Sequence, residues 1–266
     1  AETVLKQKHG SGENATVLRA LGDINLALQD FGAAESYLVR AQELLDAQNN
    51  RRRSSAVTLS LAEVYLQRQE FGNAQKTLQA AVRAFDKQND DERLLAALGL
   101  QILSYGNDGD YDAAREHSIA LMNRVDEVSR KLSPSRMHAV FMQYVYPSLK
   151  SAARFQLQAG DTLAALATVT YAKGRILRYQ TGENGRGTAG NSVLNASFES
   201  TQSALHQQDL IVDFFIDEEG VVTFLIEKNQ IRAFSHEILR EEVGELVDGH
   251  FSLLAKPSQR KQINDD

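Results

Sequence analysis

Three short segments of this chain align with one another without a gap: Gln29-Asp30-Phe31-Gly32-Ala33-Ala34, Gln69-Glu70-Phe71-Gly72-Asn73-Ala74 and Gly109-Asp110-Tyr111-Asp112-Ala113-Ala114. Their aromatic residues fall at 31, 71 and 111, a step of 40 residues taken twice. A repeat of that length constrains the fold more than any local propensity does. So small a unit has an apolar face that it cannot bury alone, and stacking on its neighbours is the way to cover it.

Within each unit the apolar residues recur at helical spacing. Upstream of the aromatic stand Leu18, Leu21, Gly22 and Asn25 in the first unit and Leu61, Ala62 and Tyr65 in the second. Downstream stand Ala34, Leu38 and Ala41, then Ala74, Leu78 and Ala81, then Ala114 and Leu121. The pattern predicts a helical hairpin, helix A then helix B, with small residues where the two approach closely. It resembles the tetratricopeptide (TPR) signature, in which a small residue on helix A faces an alanine near the start of helix B and an aromatic at the turn plugs the hairpin. The resemblance assigns Gly22 and Ala62 the first role, Ala34, Ala74 and Ala114 the second, and Phe31, Phe71 and Tyr111 the third. The step exceeds the roughly 34 residues of the common form, and segments 46–50 and 87–91 are expected to supply the surplus as longer turns between repeats.

The units are placed at about 15–50, 51–90, 91–130 and 134–179, after an N-terminal tail at 1–14. The fourth is degenerate: Gly160-Asp161-Thr162 repeats the turn with a threonine in the aromatic position and a step of 51. Its first helix, 137–158, should kink near Pro147, because proline lacks the N–H that the helix needs.

From about residue 180 the pattern changes. Residues 180–192 carry Gly182, Gly185, Gly187 and Gly190 among polar residues and read as a flexible loop. A helix over 193–207 is followed by three β-rich runs, 210–216, 221–226 and 231–234, separated by short polar turns, which predicts an antiparallel meander. A last helix over 238–254 places Leu239, Val243, Leu246, Val247, Phe251 and Leu254 on one face. The fold class expected is therefore mainly α: a TPR-like α-solenoid followed by a small α+β segment of helix, three-stranded meander and helix.

A helix, three strands and a helix straight after TPR-like repeats resemble the opening of the CHAT domain, a caspase-like peptidase module that follows TPRs in bacteria. The matching residues are Ala172-Lys173-Gly174-Arg175, Ala204-Leu205 and the strand runs between 210 and 234. The resemblance implies that 193–266 is the N-terminal part of such a domain, truncated before its catalytic core. It also implies a parent cysteine peptidase whose repeats receive an activator or substrate protein. Some members of that family are activated by RNA-guided effector complexes in phage defence, and others process substrate proteins. The family's catalytic histidine and cysteine lie on the core, so no residue here inherits a catalytic role. Two readings of another class stay open: a non-enzymatic adaptor with a small α+β interaction module, and a sensor whose meander binds a small ligand.

Composition excludes several chemistries. The chain has no cysteine, hence no disulfide, thiolate metal site or cysteine nucleophile within it. A net charge of -6 leaves no diffuse basic field for nucleic acid, and no basic amphipathic stretch suits a membrane surface. No apolar run approaches the ~18 residues of a membrane span. The start Ala1-Glu2-Thr3-Val4 has neither an initiator methionine nor a signal-peptide pattern, which reads as a processed piece of a longer chain, assigned to the cytoplasm.

Four local motifs lose to plainer readings. Gly185-Arg186-Gly187-Thr188-Ala189-Gly190 is a literal GxGxxG, but a helix rather than a strand precedes it, against the dinucleotide mechanism. Asp108-Gly109-Asp110-Tyr111-Asp112 imitates a calcium loop, yet Ala113 and Ile119 stand where its glycine and glutamate are required. The histidines at 9, 117, 138, 206, 236 and 250 make no i, i+4 chelating pair. The sequons at Asn14 and Asn195 are too short a pattern to carry weight. No cofactor and no metal is expected.

The expected partner is a protein or peptide on the concave face, which helix A of each repeat lines. Counting between the packing positions puts Arg19, Asp23 and Leu26 in that groove from the first unit and Leu59, Glu63 and Leu66 from the second. The run Arg51-Arg52-Arg53 opens the second unit, where three cations oppose the helix dipole; it reads as a solvated helix start or as a contact with an acidic partner, and it is carried as a candidate for the second.

Overall fold

The computed structural model describes residues 11–181, 202–217 and 220–236. The chain divides into two compact units at 194/195. The first contains α1 (Ser11–Ala27), α2 (Phe31–Ala47), α3 (Arg51–Gln67), α4 (Phe71–Gln88), α5 (Asp91–Asn107), α6 (Tyr111–Val128), α7 (Pro134–Val140), a π-helical turn (Phe141–Val145), α8 (Tyr146–Gln158) and α9 (Thr162–Thr181). This is an α-solenoid of helical hairpins.

The first six helices begin at 11, 31, 51, 71, 91 and 111, so the backbone period is 20, half the sequence repeat. Each connection turns on one left-handed residue: Gln29 (φ 61), Asn49 (φ 55), Gln69 (φ 59), Asn89 (φ 53) and Gly109 (φ 85). The residue after it caps the next helix. Asp30, Asn50, Asp90 and Asp110 accept from the N–H three residues on, at 3.1, 3.4, 3.4 and 3.0 Å. Glu70 makes no such bond, having a side chain one methylene longer. The turns within and between hairpins are thus alike, and the expectation of longer inter-repeat turns is corrected. Asp46, Ala47, Lys87 and Gln88 belong to helices, and the surplus length lies in helices of 17 or 18 residues.

Close approach governs the packing. A Cβ on Gly22 would stand 2.6 Å from Leu38 Cγ and 3.3 Å from the Ala34 carbonyl, so only glycine lets α1 lie against α2. Ala34, Leu38, Ala41, Ala62, Ala74, Leu78 and Ala81 are fully buried. Successive A helices also touch, α1 with α3, α3 with α5 and α5 with α8, whereas the B helices α2, α4 and α6 make no comparable contact with one another. At the last of these contacts Gly99 abuts Ser148 and Gly106 abuts the Phe155 ring, so α5 and α8 run parallel in contact across two turns. The aromatics expected to plug the hairpins are only half-buried at the first positions of α2, α4 and α6. The fully buried aromatic of the second unit is Phe85, near the end of α4, in a core shared with α5 and the helices after it.

The fourth hairpin carries its irregularity before Pro147. The helix widens into the π turn over 141–145, where the Tyr146 N–H reaches the Phe141 carbonyl. Proline has no N–H to offer the Gln143 carbonyl, and the widened turn relieves the ring clash there. Tyr171, on α9, donates to the Met122 carbonyl (3.0 Å) and to Asp126 (2.8 Å), and Arg175 pairs with Asp126, so α9 is tied to α6.

In the second unit, β1 (Ile211–Asp217), β2 (Gly220–Ile226) and β3 (Ile231–His236) form an antiparallel sheet in that order. Phe214 pairs with Thr223, which pairs with Phe234. Phe215, Val222, Phe224 and Ile226 are buried, while Val212, Phe214 and Phe234 are exposed. Residues 202–204 are helical; the remainder of the helix expected over 193–207 falls mostly outside the described residues. The first two residues of the loop expected at 180–192, Gln180 and Thr181, are instead the end of α9; the rest of that loop, with its GxGxxG, and the helix at 238–254 lie outside the described residues.

Because Phe85 is fully buried and Phe71 only half so, Phe85→Ala should cost ~3–5 kcal/mol and Phe71→Ala about half of that. Urea denaturation of the two variants compares them. An L-residue at left-handed φ is strained by ~1–2 kcal/mol, so Gln69→Gly should raise stability by roughly 0.5–1 kcal/mol in the same assay.

Candidate functional site

The A helices present a continuous groove. Its main stretch, about 910 Å³, runs along α1, α3 and α5 to the π turn, lined among others by Arg19, Asp23, Leu26, Leu59 and Glu63. A second stretch of about 510 Å³ shares Glu63, Leu100 and Leu103 with it and adds Leu66 and Phe71. A third, about 360 Å³, shares Arg19, Arg52, Ala56 and Arg93 with the main stretch and adds Arg53. All six residues assigned from the first two units therefore line one groove. Of the arginine run, Arg52 and Arg53 line it. Arg51 lies outside these stretches, and its carbonyl accepts from the Ser55 hydroxyl (2.8 Å).

The lining follows from the repeat. Asp23 and Glu63 stand 40 residues apart at one position of the unit, as do Leu26 and Leu66. The third unit substitutes Leu103 and Gly106 at those positions. Residues that sequence reasoning missed are Leu100 and Leu103 on α5, the Asp90-Asp91-Glu92-Arg93 start of α5, Tyr144 in the π turn and Ser148 just beyond it. The 40-residue step offered the α5 positions, because Leu100 and Leu103 follow Ser60 and Glu63. Tyr144 and Ser148 had no such signal, since the fourth unit breaks the step.

The charges are arranged unevenly. At one end Arg19, Arg52, Arg53 and Arg93 line the same stretch. Asp90 pairs with Arg93 at 2.6 Å and with Arg52 at 3.7 Å, and Arg53 has no ion pair among the described residues. That end is positive. Farther along, Arg19 Nε sits 3.5 Å from Asp23 Oδ2, within ion-pair range but without a hydrogen bond. Glu63 is half-buried among Leu59, Leu66, Leu100 and Leu103. Burial, with the Asp23 charge adding to it and Arg19 opposing, pushes its carboxyl from 4.5 up to about 7.

The remaining motifs resolve into packing. Asp110 caps α6, and Gly109 is its left-handed turn residue. His117 stacks on Tyr105 at 4.7 Å, and burial lowers its pKa. Arg175 is buried against Asp126. Among the described residues no group of histidine, aspartate and glutamate side chains could hold a metal ion, and no helix is long and apolar enough to cross a membrane. Comparison with protein families and with curated proteins finds no match to this chain.

Glu63 makes stability depend on pH. Its folded pKa exceeds the unfolded one, so the folded state holds an extra proton between about pH 4.5 and 7, and stability falls as pH rises through that window. Glu63→Gln should therefore match wild type near pH 4.5 and exceed it at pH 8 by on the order of 2–3 kcal/mol. Urea unfolding at the two pH values measures the difference.

Proposed function

We propose that this chain is a protein-binding scaffold of the TPR type. The observation that carries the reading is the groove along successive A helices, with leucines lining its length and a cluster of arginines at one end. Leu26, Leu59, Leu66, Leu100 and Leu103 offer an apolar anchor surface. The arginine end offers complementarity to an acidic segment of a partner. Grooves of this composition recognise peptides by a buried anchor flanked by polar specificity.

The wider reading is that the chain is the regulatory portion of a CHAT-type caspase-like cysteine peptidase, cytoplasmic and bacterial. Its repeats would receive an activator, such as an RNA-guided effector, or a substrate protein. A three-stranded antiparallel meander following helical hairpins supports it, together with the sequence resemblance at 172–175 and 204–205. The parent gene tests it: a histidine and a cysteine encoded beyond Asp266 sustain the peptidase, and a stop codon at that point leaves the adaptor.

A buried leucine anchor contributes about 2 kcal/mol to binding and a rim charge under about 1. Leu66→Ser should therefore weaken a captured partner by roughly thirtyfold, and Asp23→Asn by less than about fivefold, with both variants folded by circular dichroism. Wild-type affinity in both variants, measured by calorimetry, overturns the groove assignment.

A further inference from the structure

Every other carboxylate on the groove has a cation of its own. Asp90 has Arg93 at 2.6 Å, Glu92 has Arg136 at 2.5 Å, Asp91 has Arg124 and Lys131 at 3.3 Å each, and Asp23 has Arg19 at 3.5 Å. Glu63 has no hydrogen bond and no ion pair among the described residues. It occupies the joint between the two stretches, which it lines together with Leu100 and Leu103 of α5. The charged groups that reach it are Asp23 of α1, which repels it, and Arg19 of α1, which partly offsets that repulsion; α5 contributes Leu100 and Leu103 beside the polar Asn107, and its own helix α3 contributes Leu59 and Leu66 beside Ser60 and Gln67. The joint therefore holds one carboxyl group without a cation of its own beside a cluster of leucines.

We infer that the groove takes a partner peptide bearing a lysine or arginine, whose cationic head seats on Glu63 while its methylene stem and a neighbouring apolar residue lie on Leu66, Leu100 and Leu103. This rests on the reading of the groove as the partner site and names the partner's chemistry there. A long basic side chain fits because its stem covers apolar surface while its head meets the charge. A half-buried carboxylate is relieved either by taking a proton or by meeting a cation. Seating the cation requires the ionised form, so binding expels the proton that Glu63 carries below about pH 7. The positive end of the groove, around Arg53 and Arg93, sets a second requirement that leaves the Glu63 contact unchanged.

The test is selection of a phage-displayed library of random 12-residue peptides on the whole 266-residue chain at pH 8, with counter-selection on Leu66→Ser. Enriched peptides are then synthesised, and their Kd is measured by fluorescence anisotropy at pH 6 and pH 8 on wild type and on Glu63→Gln. The expected peptides carry lysine or arginine beside an apolar residue. They bind wild type about tenfold tighter at pH 8 than at pH 6, following the ionised fraction of a group titrating near 7, and bind Glu63→Gln weakly at both. Leu66-dependent peptides without a basic residue, or with equal affinity for wild type and Glu63→Gln, overturn the cation seat and leave the groove assignment standing. Failure to enrich any Leu66-dependent peptide overturns both.

Discussion

The contact between Gly22 and Leu38 sets the scale of the first unit. Where no Cβ intervenes, α2 settles onto α1, and Ala34, Leu38 and Ala41 disappear from solvent behind it. Small residues in the second hairpin, Ala62 against the fully buried Ala74, Leu78 and Ala81, keep the same economy of volume. With the hairpins this thin, each A helix can reach the next, and the groove runs along the A helices, whose backbones approach one another more closely than those of the B helices. A bulky residue at position 22 would have to displace the Leu38 side chain, and the floor built on α1 would move with it.

The turns make that packing periodic. At each connection from α1 to α6 one left-handed residue closes the helix, and at every turn but that of Glu70 the side chain after it caps the next, so the surfaces of these helices repeat in phase. The phase places Asp23 and Glu63, and Leu26 and Leu66, in line along the groove. It also explains why Gln29 and Gln69 tolerate a backbone region that favours glycine: the turn is imposed by the helices on both sides of it.

The electrostatics of the groove follow from where the phase breaks down. In the first unit an arginine one turn before Asp23 answers it; in the second, Leu59 stands at the arginine's position and Glu63 is left unanswered; in the third, Leu103 replaces the acid itself. The same repeat position thus passes from a paired charge to an unpaired one to none. That gradation, more than the net charge of the chain, gives the groove a polarity that a partner can read.

The helical hairpins and the strands of the meander were legible in the sequence, because apolar residues at period 3.6 or 2 report which face of an element is buried. The six groove residues of the first two units were legible for the same reason, since they fall between packing positions on helix A. The 20-residue backbone period was present at positions 30, 50, 70, 90 and 110, all acids or an amide, but the aromatics mark only every second turn and drew attention to 40. The half-burial of Phe31, Phe71 and Tyr111, the close passage of Gly99 and Gly106 against α8, and the π turn ahead of Pro147 belong to contacts between helices distant in the chain. So does the isolation of Glu63. The sequence by itself determines which residues each helix turns inward; only the tertiary structure decides which charges meet, because a pair forms across helices whose spacing the packed side chains dictate.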